Sequence, residues 1–305
     1  MRIAVIGAGA LGLYYGALLQ RAGNEVCFLL RRDYDAITRQ GLTVRSIAGD
    51  FHLDQVRGYR SPGEIGPVDL VLVGLKTFDN RLLPELLPPL LGPGTRVLTL
   101  QNGLGNEEAL ADLWDPGRVL GGVAFLCANR GEPGTVHHLG AGHIFLGAYK
   151  QENTSAAQET AQLFRDAGVR CEAVPDLVRA RWEKLVWNIP FNGLCALLDK
   201  PVDALLAHGR SRQLVADLMG EVVAAANAQE LSNSLDEALV GNMITFTEAM
   251  GPYRPSMQID REEGRPLELE AIFARPLQRG KERGVAMPRA EALLALLEMA
   301  VGTGG

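Results

Sequence analysis

Residues 2–12 read Arg2-Ile3-Ala4-Val5-Ile6-Gly7-Ala8-Gly9-Ala10-Leu11-Gly12, followed by a helix-compatible run, Ala10–Arg21, and a strand-like run, Glu25–Leu30. A short apolar run that ends on glycine, then a helical pattern, then a second apolar run is the signature of a βαβ unit. The glycines fall at GxGxxG between the first strand and the first helix, the context that motif requires. Gly7 permits a tight turn, Gly9 lets backbone approach a pyrophosphate, and Gly12 lets the helix pack closely. Ala8, Ala10 and Leu11 complete the loop, and the helix N-terminus offers amide donors to an anion. These residues therefore predict dinucleotide binding. The plainer reading is a glycine-rich turn with no ligand.

Outward from this unit, residues 69–75 and 96–100 read as further strands, and the Leu-rich stretch 81–91 as a crossover helix. Between 118 and 148 the pattern turns to short glycine-punctuated strands, 135–139 and 143–146, which predicts an antiparallel extension. Residues 155–167 read as helix and 170–174 as one more strand. Beyond Pro175 helical segments dominate, at 177–198, 210–230, 235–249, 267–283 and 289–301. The expected domains are 1–175 and 176–305, with a frayed tail at Gly302–Gly305.

A chain of 305 residues exceeds what one hydrophobic core usually serves, which independently favours two domains. With 47% hydrophobic and 22% charged residues it is an ordinary globular composition. A net charge of -6 without a basic run excludes a nucleic-acid footprint or an anionic-membrane patch. Cys27, Cys127, Cys171 and Cys195 form no CxxC pair, and the histidines show no metal-ligand spacing, so no metal is expected. The apolar run 3–19 carries Gly7, Gly9, Gly12 and Gly16, a poor composition for a signal helix. A cytoplasmic protein is the expectation.

The end of the second strand reads Leu30-Arg31-Arg32 where NAD-binding units usually place an acid for the ribose hydroxyl. Guanidinium groups there attract a 2′-phosphate, which favours NADP(H), although Asp33 keeps NADH open. Lys76 and Asn102-Gly103 follow strands at the sheet end where ligands bind. Lys184, Asn188 and Asn192 recur at i, i+4 and i+8 and make one polar stripe on an otherwise apolar helix. Pro190 is expected to kink that helix. A solvated helix edge is the alternative reading of the stripe.

Taken in order, GxGxxG at Gly7–Gly12, Lys76, Gln101-Asn102-Gly103, Lys184-x3-Asn188-x3-Asn192, Ser256 and Glu268 resemble the ketopantoate reductase family from Met1 to about Pro288. The resemblance implies an α/β fold: an N-terminal Rossmann-type doubly wound sheet with a C-terminal all-α domain, and a cleft between them. It implies reduction of a small-molecule 2-oxo acid, 2-dehydropantoate, with NADPH. Lys184 is then the proton donor, and Asn188, Asn192 and Ser256 hold substrate. Asn102 touches cofactor and substrate, Lys76 and Glu268 lie on the cofactor side, and Arg31 meets the 2′-phosphate. Asp260, one turn after Ser256, is a candidate for a substrate hydroxyl. The chain departs from the family at Val202-Asp203 and Phe273-Ala274, where Asn-Gly pairs are common, and in placing Pro190 before Asn192. These departures leave the coenzyme and reaction type intact and put the substrate in doubt, so a paralogue acting on another 2-oxo acid stays open; a separate rival is a non-catalytic NADP sensor, against which the Lys184 stripe counts. Oligomeric state is not legible, and a homodimer is compatible.

Overall fold

The residues of β1 (Arg2–Ile6) alternate between two cores, with Ile3 and Val5 packing on one face and Ala4 and Ile6 on the other. A strand buried on both faces is the mark of a parallel sheet covered by helices on each side. The computed structural model describes residues 1–150, 153–236 and 238–302. Its remaining strands are β2 (Glu25–Leu29), β3 (Leu42–Ser46), β4 (Phe51–Leu53), β5 (Arg57–Tyr59), β6 (Leu70–Val73), β7 (Arg96–Thr99), β8 (Val119–Arg130), β9 (Thr135–Ala148) and β10 (Cys171–Ala173).

The ten strands form one mixed sheet in the order β4-β3-β9-β8-β7-β6-β1-β2-β5, with β10 also paired to β9. From β5 through β8 every pairing is parallel. The chain leaves β1 on one side for β2 and returns on the other at β6, so the order reverses at β1, above which open α/β sheets bind ligands. Leu70 and Leu72 continue the face of Ile3 and Val5, under the helices Ala10–Arg21 and Thr154–Asp166. Val71 and Val73 continue the opposite face, with Leu83, Leu87, Leu90 and Leu110.

Two elements differ from expectation. The Leu-rich stretch is not one helix but short turns at Thr77–Leu82, Leu83–Leu86 and Pro88–Leu90. Pro84, Pro88 and Pro89 lack the N–H groups a longer helix needs. The two expected strands 135–139 and 143–146 are one strand, β9, antiparallel to β8 and carrying two register shifts. The intervening glycines mark irregularities inside the ladder instead of its end. Of the tail, Gly302 caps the last helix, and the rest lies outside the described residues.

Two compact units are defined by internal contacts: Met1–Gln101 with Asn106–Leu177, and Asn102–Gly105 with Val178–Gly305. Among its described residues the second unit holds helices and their connecting turns but no strand. Its core surrounds the helix Leu177–Leu198, whose Trp182, Leu185, Val186, Ile189, Phe191, Leu194 and Cys195 are buried among residues of Gly209–Asn227 and Pro288–Val301. A helix apolar on nearly every side belongs inside its unit. The chain stays helical through Pro190.

Candidate active site

In the first unit the glycine turn meets the demands of a phosphate loop. Gly7 has φ +90°, and a Cβ there would overlap the Leu75 amide nitrogen and Gly74. A Cβ on Gly12 would overlap the Gly7 carbonyl, so the helix packs on the turn at glycine distance. A Cβ on Gly9 meets nothing within 4 Å, which leaves that stretch of backbone approachable. Ala8, Ala10 and Leu11 pack partly against the core below. The helix Ala10–Arg21 has no side-chain cap and no acid in its first turn, so nothing of its own competes for an anion at its positive end. The residues present fit a dinucleotide pyrophosphate.

Arg31 projects beyond β2, its side chain 76% exposed and 3.4 Å from the Asp79 carboxylate. Asp79 in turn donates its N–H to the Lys76 carbonyl at 2.9 Å, which brings the loops carrying Arg31 and Lys76 together. Asp33 is elsewhere engaged: it is buried and ion-paired with Arg130, from the far end of β8. That pair uses one carboxylate oxygen and leaves Asp33 Oδ1 without a partner, but the group is buried at 4% exposure, whereas Arg31 is presented to solvent, the pattern suited to a 2′-phosphate. Below these loops Gln101, buried, donates to the Leu75 carbonyl at 3.0 Å and to Asn80 Oδ1 at 2.7 Å, and Asn80 donates to Asn106 Oδ1 at 3.0 Å.

In the second unit Lys184 Nζ donates to Asn102 Oδ1 at 2.6 Å. Residues 82 apart in sequence are thus joined at the two positions expected to do chemistry. Asn188 and Asn192, one and two turns on, are 4% and 3% exposed, so the stripe is not a solvated edge. Asn192 Oδ1 is buried without a hydrogen-bond partner. An orphaned acceptor of this kind is costly unless function uses it. Trp187, on the same helix, donates to Thr247 Oγ1 at 2.9 Å and fixes the helix rotation.

Ser256 opens the helix Ser256–Glu262 and is exposed, while Asp260, one turn later, is buried with Arg265 Nε 2.8 Å from its carboxylate. Glu268 is buried at 5% exposure just before the next helix. Cys195, also on the stripe helix, is no nucleophile, because burial pushes its thiol up to about 12. His138 is structural: its ring nitrogens meet Ser46 Oγ at 2.8 Å and the Ala141 carbonyl at 3.0 Å. Among the described residues no group of three His, Cys, Asp or Glu side chains could hold a metal, and no helix is long and apolar enough to cross a membrane.

Sequence reasoning missed Asn80, Asn106 and Arg130, all of which act by tertiary contact. It also missed the π-turn Glu270–Ala274, whose Ala271 carbonyl accepts the Leu104 N–H at 2.9 Å and so holds the Asn102 loop.

The chain matches the family described as Ketopantoate reductase PanE/ApbA over residues 3–151, and that family's C-terminal part over 176–301. It is 43% identical over 306 residues to a 2-dehydropantoate 2-reductase of a Nostoc species, covering 99% of this chain and 95% of the relative. A crystal structure of 2-dehydropantoate 2-reductase from Geobacter metallireducens GS-15 superposes with a TM-score of 0.97 at 63% identity, covering 98% of this chain and 100% of that one. The ternary structure of D-mandelate dehydrogenase with NADH and anilino(oxo)acetate superposes at 0.89 with 25% identity, covering 99% and 98%. With a glycine turn in one unit, a lysine seated on an asparagine in the other, and matches running the length of both, the chain belongs to the ketopantoate reductase PanE/ApbA family, oxidoreductases acting on CH–OH groups.

Proposed function

We propose that the chain reduces 2-dehydropantoate to (R)-pantoate with NADPH, the reducing step of pantothenate biosynthesis in the cytoplasm. The observation that carries this reading is the Lys184–Asn102 hydrogen bond beside the buried Asn188 and Asn192. Residues 1–175, apart from the loop Asn102–Gly105, serve as the nucleotide domain, and 176–305 together with that loop as the substrate domain. Gly7, Ala8, Gly9, Ala10, Leu11 and Gly12 cradle the pyrophosphate, Arg31 meets the 2′-phosphate, and Lys76, Asn102 and Glu268 also serve the cofactor. When bound, NADPH supplies the hydride.

Lys184 Nζ donates to the ketone oxygen and gives up its proton as that oxygen becomes an alkoxide. Asn102 Oδ1 holds the ammonium in place for this transfer. Asn192 Oδ1 is an acceptor with no internal partner, suited to a substrate hydroxyl. Asn188 and Ser256 complete the binding set, and Asp260 is assigned to a substrate hydroxyl with Arg265 fixing its carboxylate.

One observation supports a second reading within the same chemistry. The chain has Phe273-Ala274 and Val202-Asp203 where the resembled family commonly has Asn-Gly pairs, which leaves another small 2-oxo acid as the substrate of that reading. Following NADPH absorbance with ketopantoate beside a panel of aliphatic and aromatic 2-oxo acids separates the two. The reading predicts the highest kcat/KM for ketopantoate; oxidation of NADPH by none of them would leave only a nucleotide-binding role.

A further inference from the structure

A helix hands each carbonyl to a donor further along the chain, and the π-turn Glu270–Ala274 disturbs that order. The Arg275 N–H donates five residues back to the Glu270 carbonyl. The next donor in the same register, for the Ala271 carbonyl, is residue 276. That residue is Pro276, which has no N–H. The Ala271 carbonyl instead accepts the Leu104 N–H at 2.9 Å, from the four-residue loop Asn102–Gly105.

The loop is shaped to this landing point. Gly103 has φ +80°, and a Cβ on it would overlap the Ala271 carbonyl, so only glycine approaches so closely. Its neighbour Asn102 is the residue that meets Lys184 Nζ at 2.6 Å. The chain of causes thus runs from a missing amide hydrogen, through one helical carbonyl and one loop amide, to the side chain that seats the lysine. π-turns are often found at functional sites, and here the turn has a definable task.

We propose that Pro276 is a positioning residue for the reaction: by withholding a donor from the Ala271 carbonyl it keeps that carbonyl open for Leu104 and sets Asn102 on Lys184. Pro276 touches no reacting atom. The proposal rests on the reductase reading of Lys184, and its effect runs through Asn102, on turnover first and on nucleotide binding no further than Asn102 itself contributes.

The test is Pro276→Ala, which restores the N–H, in the full-length protein. Amide hydrogen exchange across residues 102–105 is expected to quicken, because the restored N–H competes with Leu104 for the Ala271 carbonyl. With the best 2-oxo acid, kcat is expected to fall about tenfold, with any change in the KM for NADPH no larger than that of Asn102→Ala. In an Asn102→Ala background the same substitution is expected to have no further effect on kcat, since Pro276 acts through Asn102 alone. Unaltered exchange at 102–105, or an equal loss of kcat in the Asn102→Ala background, overturns the proposal. Should Pro276→Ala fold poorly by its thermal midpoint, Gly103→Ala reads the same loop from the other side and carries the same expectations. Wild-type protein that turns over no 2-oxo acid overturns the reductase reading, and the exchange measurement still judges the loop.

Discussion

Replacing Lys184 by alanine removes the ammonium that donates to Asn102 and, on the proposed reading, the proton for the alkoxide. General-acid groups contribute about a hundred- to ten-thousandfold, so kcat falls within that range while NADPH affinity, measured by fluorescence titration, is retained. Arg31 acts on the other side of that split. On the proposed reading its exposed guanidinium makes a charge-assisted bond to a 2′-phosphate, worth about 1.5–3 kcal/mol, so Arg31→Ala is expected to weaken NADPH roughly ten- to hundredfold and leave NADH nearly unchanged. Because the group is so open, raising salt narrows the difference between wild type and variant. Equal losses for both nucleotides would remove Arg31 from the phosphate. The sequence left Asp33 as a rival acid for the ribose; only the ion pair with Arg130, a residue 97 positions away, shows how that carboxylate is used.

Among the elements, the glycine turn is the least forgiving. Gly7→Ala forces a Cβ into the Leu75 amide at φ +90°, a strain of about 1–3 kcal/mol or more, so its thermal midpoint drops and nucleotide binding is lost together with it. This turn and the Lys184 helix could both be read from the chain. In each, the signal is local: glycines at fixed offsets after a strand, and polar residues at a helical period among apolar ones. The crossover could not be read, because its leucines carry a helical pattern that Pro84, Pro88 and Pro89 break. β4 and β5 escaped because they are three-residue strands with no fully buried position. The Gln101–Asn80–Asn106 chain of amides exists only once three separate segments are folded together. Pro276 was in plain sight, yet no spacing rule announces a five-residue hydrogen bond. The candidate residues were legible as types and positions, whereas what holds them still was not.

Each unit of the molecule carries a thiol that resists ionisation, Cys171 in the first and Cys195 in the second, both pushed up to about 12 by burial. A group whose pKa is raised on folding contributes stability that is complete below its unfolded value, 9.0 here, and lost as pH climbs towards the folded one. Urea midpoints are therefore expected to decline from about pH 9 upward, and the double variant Cys171→Ala, Cys195→Ala to show a shallower decline, though from a lower starting stability. Native alkylation is expected first at Cys127, which is only half-buried. Finally, the backbone passes from the first unit to the second at Asn102, goes back at Asn106, and crosses for good after Leu177. Neither half is then a continuous length of polypeptide. A gene cut at residue 175 would give a first fragment whose four-residue excursion has lost its anchor, and a helical fragment short of Asn102, the hydrogen-bond partner of Lys184. Recombination that exchanges whole halves between relatives must preserve this stitch, so the two halves are expected to be inherited as a pair.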